Sequence, residues 1–227
     1  MVPSHRETWP FDGRKALLDL VKGSVEYRSL EQAVASLAVF AHPDTVKQTE
    51  NRNLFRVIRQ RELHERGRLY EYGDTHGRVM YDDNHSPTWA FDWTHAIKWW
   101  KDRDIQYNHV WSRSREVEYY TSLANLCVTP TFLAKLTDGE DAIALLLRYR
   151  AFCLYGFWPD PDTEPTMPPG YRDLNWADTL PAVPDLEATL LAAMRLKPRN
   201  SLVQSVREIG WFFSGFNPDP ELRGSGS

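Results

Sequence analysis

Apolar residues recur at helical spacing over the first forty positions of the chain. Residues 1–12 predict an extended lead-in, and residues 13–40 carry the pattern of amphipathic helix. Ser29 and Gln32 are spaced as a capping box ahead of an Ala/Leu/Val stripe. The sequence HPDT, residues 42–45, predicts a turn. The chain is therefore expected to open with helices.

A further helix is predicted over residues 48–68, where arginines are dense. Between Asn51 and Tyr70 there are six arginines against two glutamates, a local excess of +4. At helical spacing four arginines share one face: Arg52, Arg56, Arg59 and Arg66. Such a face is either a solvated surface with intrahelical ion pairs or a row of cations that binds phosphates. The second interpretation makes Arg52, Arg56 and Arg59 candidate nucleic-acid ligands.

A short strand and an aromatic helix are predicted next. RVMYDD, residues 78–83, has the apolar run of a strand. A helix is expected to begin at Ser86 and Pro87, because serine caps a helix N-terminus and proline suits the first turn. Burial preferences assign the apolar stripe of this helix to the core in preference to a surface that stacks nucleic-acid bases. The stripe comprises Trp89, Trp93, Ile97 and Trp100.

The rest of the chain predicts two strands followed mainly by helices. Strands are expected over residues 105–111 and 123–128, and a helix from Pro130. Residues 158–184 hold seven prolines, which argues against regular structure. They are also too aromatic for a free linker, so this arm is expected to pack on the domain. Further helices are predicted over residues 141–157, 184–196 and 200–213.

This order of elements predicts an α+β fold, predominantly helical, with a small central ββα unit. A length of 227 residues, 42% of them hydrophobic, supports one compact domain with a substantial core. We divide it into a helical N-terminal part with the arginine-rich helix and a short strand (1–103), a ββα-like centre (104–138) and a helical C-terminal part with the proline-rich arm (139–223). The closing GSGS, residues 224–227, is typical of an added tail and is left out of the fold.

Charge and cysteine usage narrow the class of protein. The net charge of −4 argues against a protein that coats nucleic acid by bulk electrostatics, although a local basic patch remains compatible with it. Cys127 and Cys153 lie in apolar contexts and are predicted to be free thiols in a reducing compartment. No apolar run reaches transmembrane length, and the N-terminus lacks the apolar core of a signal peptide. A soluble, cytoplasmic protein without membrane contact is expected.

The central segment carries the candidate chemistry. YNHVWSRS places Asn108 and His109 at the end of the first predicted strand. SLANLCVTPTFLAKLTD places Asn125 and Leu126 on the approach to a helix that starts at proline. These pieces resemble the HNH, or ββα-metal, nucleases, in which a polar residue and a histidine end one strand and an Asn-Leu pair precedes the helix. The resemblance covers residues 104–138.

The resemblance implies a metal-dependent endonuclease that hydrolyses phosphodiester bonds of DNA or RNA. His109 would be the general base that deprotonates the attacking water, a task suited to an imidazole. Asn125 would complete the catalytic pair by ordering the loop behind the histidine, since an amide can bond backbone groups on both sides. Asn108 would ligate Mg²⁺ or Mn²⁺.

The helix after the second strand departs from the family pattern. Where a further His or Asn ligand is expected, residues 133–135 are Leu-Ala-Lys. Asp138, one turn further along, is the candidate replacement ligand, because hard cations favour carboxylates. Lys135 is a candidate contact to phosphate.

Two other functions remain open. One is a non-catalytic module on a degenerate ββα scaffold, which binds nucleic acid or binds a protein partner through its aromatic surface and proline-rich arm. The other is an unrelated helical enzyme with a pocket elsewhere. Asp82, Asp83 and His85 either complete a metal site or form the turn that caps the next helix. The sequence has neither a glycine-rich phosphate loop nor a serine nucleophile elbow, so the common nucleotide-binding and hydrolase classes are not indicated.

Overall fold

Helices predominate over two small sheets in the part of the chain that the structure describes, and the predicted α+β class is confirmed. This computed structural model describes residues 13–60, 65–73, 77–82, 84–97, 104–134, 141–215 and 217–222. The helices are α1 (Gly13–Lys22), α2 (Leu30–Leu37), α3 (Pro43–Lys47), α4 (His85–Thr94), α5 (Asp141–Tyr155), α6 (Leu186–Arg195), α7 (Ser201–Ile209) and α8 (Asp219–Leu222). The strands are β1 (Val57–Arg59), β2 (Leu69–Glu71), β3 (Arg78–Asp82), β4 (Ile105–His109) and β5 (Leu126–Pro130).

The strands form two separate sheets. In the first sheet β3 is central, with β1 parallel to it and β2 antiparallel. The second sheet is the antiparallel pair β4 and β5, in which His109 lies opposite Leu126. Val39, after α2, forms a bridge to Val128 on β5. The second sheet is thereby joined to the N-terminal helices.

The order predicted for the centre of the chain is observed, with different bounds. β4 ends at His109 rather than at Trp111, and β5 begins at Leu126. Residues 123–125, predicted as the start of the second strand, form a 3-10 turn, while Pro130 lies in β5 and helical residues follow at 131–134. The strand ends early because Trp111 bonds through its backbone to the side chain of Asn125 instead of to a neighbouring strand.

The predicted arginine-rich helix is wrong. Glu50 and Asn51 take φ angles of 52° and 62°, left-handed values at which an α-helix cannot continue. Past this point the chain becomes irregular, and β1 lies where the helix was expected to run. Leu54, Phe55 and Val57 in this stretch are all fully buried. The arginines therefore do not share a helical face.

Helix capping agrees with the sequence in part. Ser29 accepts a hydrogen bond from the backbone N–H of Gln32 at 3.1 Å, as the capping-box spacing predicts. The Gln32 amide bonds to the backbone of Asn175 in the proline-rich arm instead of returning to the cap. HPDT is the start of α3, capped by His42, rather than a turn. α4 begins at His85, after Asn84 in a left-handed conformation, and not at Ser86.

The proline-rich arm packs on the domain, as predicted. Its backbone donates hydrogen bonds from Ala177 to the carbonyl of Ala35 and from Leu180 to that of Phe40, both at 2.9 Å. Further along, Val183 donates to the Thr45 hydroxyl. The arm therefore runs beside α2 and α3. Since proline removes backbone donors, the few that remain in the arm fix its path.

The core gathers most of the aromatic side chains. Trp93 is 5% exposed, stacks on Trp89 with ring centroids 5.7 Å apart and meets the edge of Phe55. The α4 stripe is thus core at these positions, while Trp100 lies outside the described residues. Cys127 is buried, Cys153 is exposed, and both are free thiols. No described helix is long and apolar enough to cross a membrane.

A buried amide fixes the connection between β4 and β5. Asn53 accepts hydrogen bonds from the backbone N–H and the hydroxyl of Thr121. It donates to the carbonyls of Phe55 and Val117. The side chain is fully buried, so these bonds are the compensation for its lost hydration. Asn53 thereby attaches residues 117–121 to the segment that leads into β1.

We expect Asn53→Ala to lower the free energy of unfolding by about 3 kcal/mol or more, because backbone groups in the interior lose their partners. Urea unfolding measures this change. Asn175→Ala is the matched control, since Asn175 is exposed and contacts Gln32 through its backbone. The control should change by less than about 0.5 kcal/mol. Equal effects of the two substitutions would contradict the role given to Asn53.

Candidate active site

His109 ends β4 and is held by the loop that follows it. The ring is partly buried, and its Nε2 lies 2.9 Å from the backbone carbonyl of Tyr120. The imidazole stacks on the Tyr120 ring, with centroids 5.5 Å apart and planes 14° apart. A carbonyl oxygen only accepts, so Nε2 carries the proton in this contact. In the neutral ring the lone pair is then on Nδ1, which is the atom able to take a proton.

Asn125 orders the loop that holds His109. Its Oδ1 accepts from the backbone N–H of Trp111 at 2.7 Å. Its Nδ2 donates to the carbonyls of Trp111 at 3.1 Å and Tyr119 at 3.0 Å. The amide is fully buried and so contacts both ends of the loop, in the manner that the resemblance implies for this residue. A catalytic contribution of Asn125 stays a prediction.

Asn108 faces away from His109. Consecutive side chains of a strand point to opposite faces, and both residues lie within β4. Asn108 is 5% exposed, and its Nδ2 donates to the Thr129 hydroxyl at 2.8 Å and to the Gln106 carbonyl at 3.2 Å. The structure therefore does not bring the Asn108 and His109 side chains to one face. Metal binding by Asn108 stays a prediction. The ligand atom would be the amide oxygen, because the amide nitrogen is the donor in both of these hydrogen bonds.

The side chains described around His109 do not by themselves form a divalent-cation site. Mg²⁺ and Mn²⁺ prefer carboxylate, carbonyl and water oxygens, with carboxylates as the main protein ligands. In the described part of the chain no three or more His, Cys, Asp or Glu side chains are arranged to hold a metal ion. Asp138 and Lys135, the predicted ligand and phosphate contact, lie outside the described residues.

The turn before α4 contacts Tyr120, the residue whose carbonyl bonds His109. Asp82 is 7% exposed, and its Oδ2 accepts from the backbone N–H of Ser86 at 2.6 Å. The next described residue, Asn84, donates its backbone N–H to the Tyr120 hydroxyl at 2.8 Å. Tyr120 thus joins the start of α4 to the His109 ring. Asp82 has the contact expected of a helix-start residue, while Asp83 lies outside the described residues.

A buried carboxyl lies under the β4 face that carries His109. Tyr107, two residues before the histidine and therefore on the same face, donates its hydroxyl to Asp92 on α4. Burial raises the pKa of Asp92 to about 6, although the Tyr107 hydrogen bond and the charge of Lys197 act to lower it. Sequence reasoning did not single out Asp92, because a lone acidic residue on an aromatic helix gives no signal of its contacts.

The three arginines predicted to bind nucleic acid lie in two different places, Arg52 and Arg56 beside Phe212 and Arg59 on β1. The guanidinium carbons of Arg52 and Arg56 lie 5.2 and 5.4 Å from the centroid of the Phe212 ring. Arg59 lies on β1 and donates its backbone N–H to the Ser114 carbonyl, and its buried Nε has no hydrogen-bond partner among the residues that the structure describes. The fold therefore pairs Arg52 with Arg56 through an aromatic residue far along the chain. Helical spacing had placed Arg52 and Arg56 together, but it did not indicate the contact of both with Phe212.

No protein-family model, no curated protein and no solved structure matches this chain. The likeness to HNH nucleases therefore depends on the motif residues and on the contacts described above.

We expect Asp92→Asn to stabilise the fold at neutral pH. The raised pKa means that the folded state favours protonated Asp92. The free energy of unfolding therefore falls as pH rises from the ordinary pKa of 3.8 to the folded-state value of about 6. Asparagine keeps an acceptor for Tyr107 and cannot ionise. Above pH 6 the variant should be more stable than the wild type by about 1–2 kcal/mol, and the difference should disappear near pH 4.

Urea unfolding across this pH range tests the Asp92 prediction. Asp178→Asn is the matched control, because Asp178 is an exposed aspartate on the arm. A stability difference for Asp92→Asn that does not change between pH 4 and pH 8 would refute the assignment of a buried, ionising carboxyl.

Proposed function

We propose that this chain is an HNH-like endonuclease that hydrolyses phosphodiester bonds of nucleic acid, with His109 as the general base. One observation carries the proposal. The His109 imidazole is bonded through Nε2 to the Tyr120 carbonyl, in a loop that the buried Asn125 amide holds at both ends. This contact sets the tautomer that leaves Nδ1 to accept a proton, which a base at neutral pH requires.

The proposed step needs one water and one phosphodiester. Nδ1 of His109 takes a proton from the water as the water oxygen forms a bond to phosphorus. A bridging P–O bond breaks, and the leaving oxygen takes a proton from solvent and becomes an alcohol, while the other product is a phosphate monoester. The imidazolium then returns its proton to solvent. Neither redox change nor a further reactant is involved.

Dependence on Mg²⁺ or Mn²⁺ is part of this proposal through the family resemblance. A divalent cation would stabilise the charge that develops on the phosphate oxygens. Its candidate protein ligands are Asp138 and the amide oxygen of Asn108. The substrate is DNA or RNA, and Arg52 and Arg56 are the proposed contacts to its phosphates.

We expect His109→Gln to abolish cleavage and to leave the fold intact. Glutamine can still donate to the Tyr120 carbonyl, so it keeps the loop contact while removing the group that accepts a proton. Cleavage of plasmid DNA and of a structured RNA with Mg²⁺ or Mn²⁺, and with EDTA in parallel, is the measurement. The rate should fall by at least about a hundredfold.

His42→Gln is the control for this experiment. His42 caps α3, away from the β4–β5 connection. The His42→Gln variant should cleave nucleic acid at the wild-type rate. Thermal unfolding should show that both the His42→Gln and the His109→Gln variants are folded. Cleavage by His109→Gln at the wild-type rate, or no cleavage by the wild type with any divalent cation, would refute the nuclease proposal.

A second candidate is a non-catalytic binding module on the same scaffold. The orientation of Asn108 favours it, because its amide is buried against Thr129 on the face opposite His109. Such a module would bind nucleic acid, or a protein partner through its aromatic surface and the proline-rich arm. Nucleic-acid binding without cleavage, unchanged in His109→Gln, is the outcome that supports this candidate over the nuclease.

A further inference from the structure

An open groove of about 650 Å³ lies beside the loop that holds His109. We call it the arginine–aromatic groove. Its walls come from the segment before β1, the β4–β5 connection, the start of the proline-rich arm and the chain after α7. The lining residues that matter here are Arg52, Arg56, Glu118, Tyr119, Trp158 and Phe212.

Two positive charges share one aromatic ring in this groove. Arg52 and Arg56 both place the guanidinium carbon within 5.4 Å of the centroid of Phe212. Burial, and then the charge of Arg52, lower the pKa of Arg56, which means that two cations lie close together in a partly desolvated place. Arg52 forms no ion pair with any residue in the described ranges. An anion bound between the guanidiniums would relieve their repulsion, and a phosphate offers the geometry that arginine matches best.

The aromatic side of the groove is held in place by its surroundings. Trp158 donates its indole N–H to the Thr163 carbonyl at 2.8 Å and meets Trp111 edge to face at 4.9 Å. Tyr119 meets the edge of Phe157 at 6.0 Å. Trp158 and Tyr119 remain partly exposed. Rings fixed in this way are suited to stack a flat ligand, because little side-chain entropy is lost on binding.

Glu50 and Glu118 also line the groove, and they narrow the choice of ligand. Their charges offset those of the arginines, so the groove does not attract a polyanion by net charge alone. Carboxylates accept hydrogen bonds from N–H groups such as those on the edges of nucleobases. Each part of one nucleotide therefore has a counterpart in the groove. The two arginines suit its phosphate, the fixed aromatic rings suit the flat face of its base, and the carboxylates suit the N–H groups on the edge of the base.

We propose that the arginine–aromatic groove binds a nucleotide of single-stranded nucleic acid, with its phosphate at Arg52 and Arg56 and its base against Trp158 and Tyr119. In a duplex the base faces are stacked on their neighbours and are not available to these rings. This inference rests on the proposed function, because nucleic acid is taken from there as the class of ligand. It goes further in specifying single-stranded nucleic acid and in placing it at a groove that does not include His109.

The groove and the proposed base are linked through consecutive residues. Tyr119 lines the groove, while the carbonyl of Tyr120 bonds His109. Asn125 bonds the carbonyl of Tyr119. A strand that occupies the groove is thereby located beside the connection that positions the histidine.

Fluorescence anisotropy with a labelled oligothymidine of about twelve nucleotides, in EDTA so that no metal-dependent cleavage occurs, tests the proposal. The wild type should bind this probe at least tenfold more tightly than a duplex of equal length. Arg52→Ala should weaken binding at least fivefold and lower the slope of log K against log salt by about 0.7, the value for one phosphate contact on a single strand. Trp158→Leu should weaken binding roughly tenfold.

Arg172→Ala is the matched control, because Arg172 is an exposed arginine of the arm outside the groove. It should bind the oligothymidine as the wild type does. Thermal unfolding of each variant separates lost binding from lost folding, and Arg52, being exposed, is the substitution that the fold tolerates best. Equal binding of duplex and single strand, or an Arg52→Ala variant that binds like Arg172→Ala, would overturn the proposal.

This outcome is independent of the nuclease test. Cleavage that requires His109 without any effect of Arg52 or Trp158 would remove the groove proposal and keep the endonuclease. Tight single-strand binding that depends on Arg52 and Trp158, in a protein that never cuts, would keep the groove and remove the endonuclease.

Discussion

The amides of Asn53 and Asn125 hold the connection between β4 and β5, and the rest of the candidate site depends on them. This connection crosses the interior without a sheet ladder of its own, so its peptide groups need partners from side chains. Asn125 bonds Trp111 and Tyr119, while Asn53 bonds Val117 and Thr121. An amide suits the task because it donates and accepts at once, whereas a carboxylate or a hydroxyl would leave some of these groups unpaired.

The chemistry available at His109 follows from that arrangement. Once Tyr119 is bonded to Asn125, the next carbonyl along the chain, that of Tyr120, accepts from the imidazole. The histidine is thus held by backbone rather than by a carboxylate, and the proton position is set by an acceptor that cannot itself titrate. The same fixed segment presents Tyr119 to the arginine–aromatic groove, so a proposed base and a proposed binding surface are positioned by one buried network.

Local signals in the sequence were sufficient for some of the helices, for the arm and for the order of elements at the centre. The periodicity of residues 141–157 and the dense prolines of residues 158–184 correspond to α5 and to a packed arm in the structure. The family resemblance identified Asn125 as a loop-ordering residue, and its contacts have that form. Such features depend on neighbours in the chain, which a sequence displays directly. Asn53, Tyr120 and Phe212 had no comparable signal, because their partners lie far away along the chain.

The sequence by itself determined the α+β class, the order of strand, loop, strand and helix at the centre, and the free state of the two cysteines. Tertiary structure decided the rest. The arginine-rich segment has helical spacing, yet the chain leaves the helical conformation at Glu50 and Asn51, and Leu54, Phe55 and Val57 are buried in the core outside any helix. Folding brought Arg52 and Arg56 onto Phe212, and it brought the Tyr120 carbonyl to the His109 ring. Which polar groups meet is set by contacts between distant segments, and no local pattern encodes them.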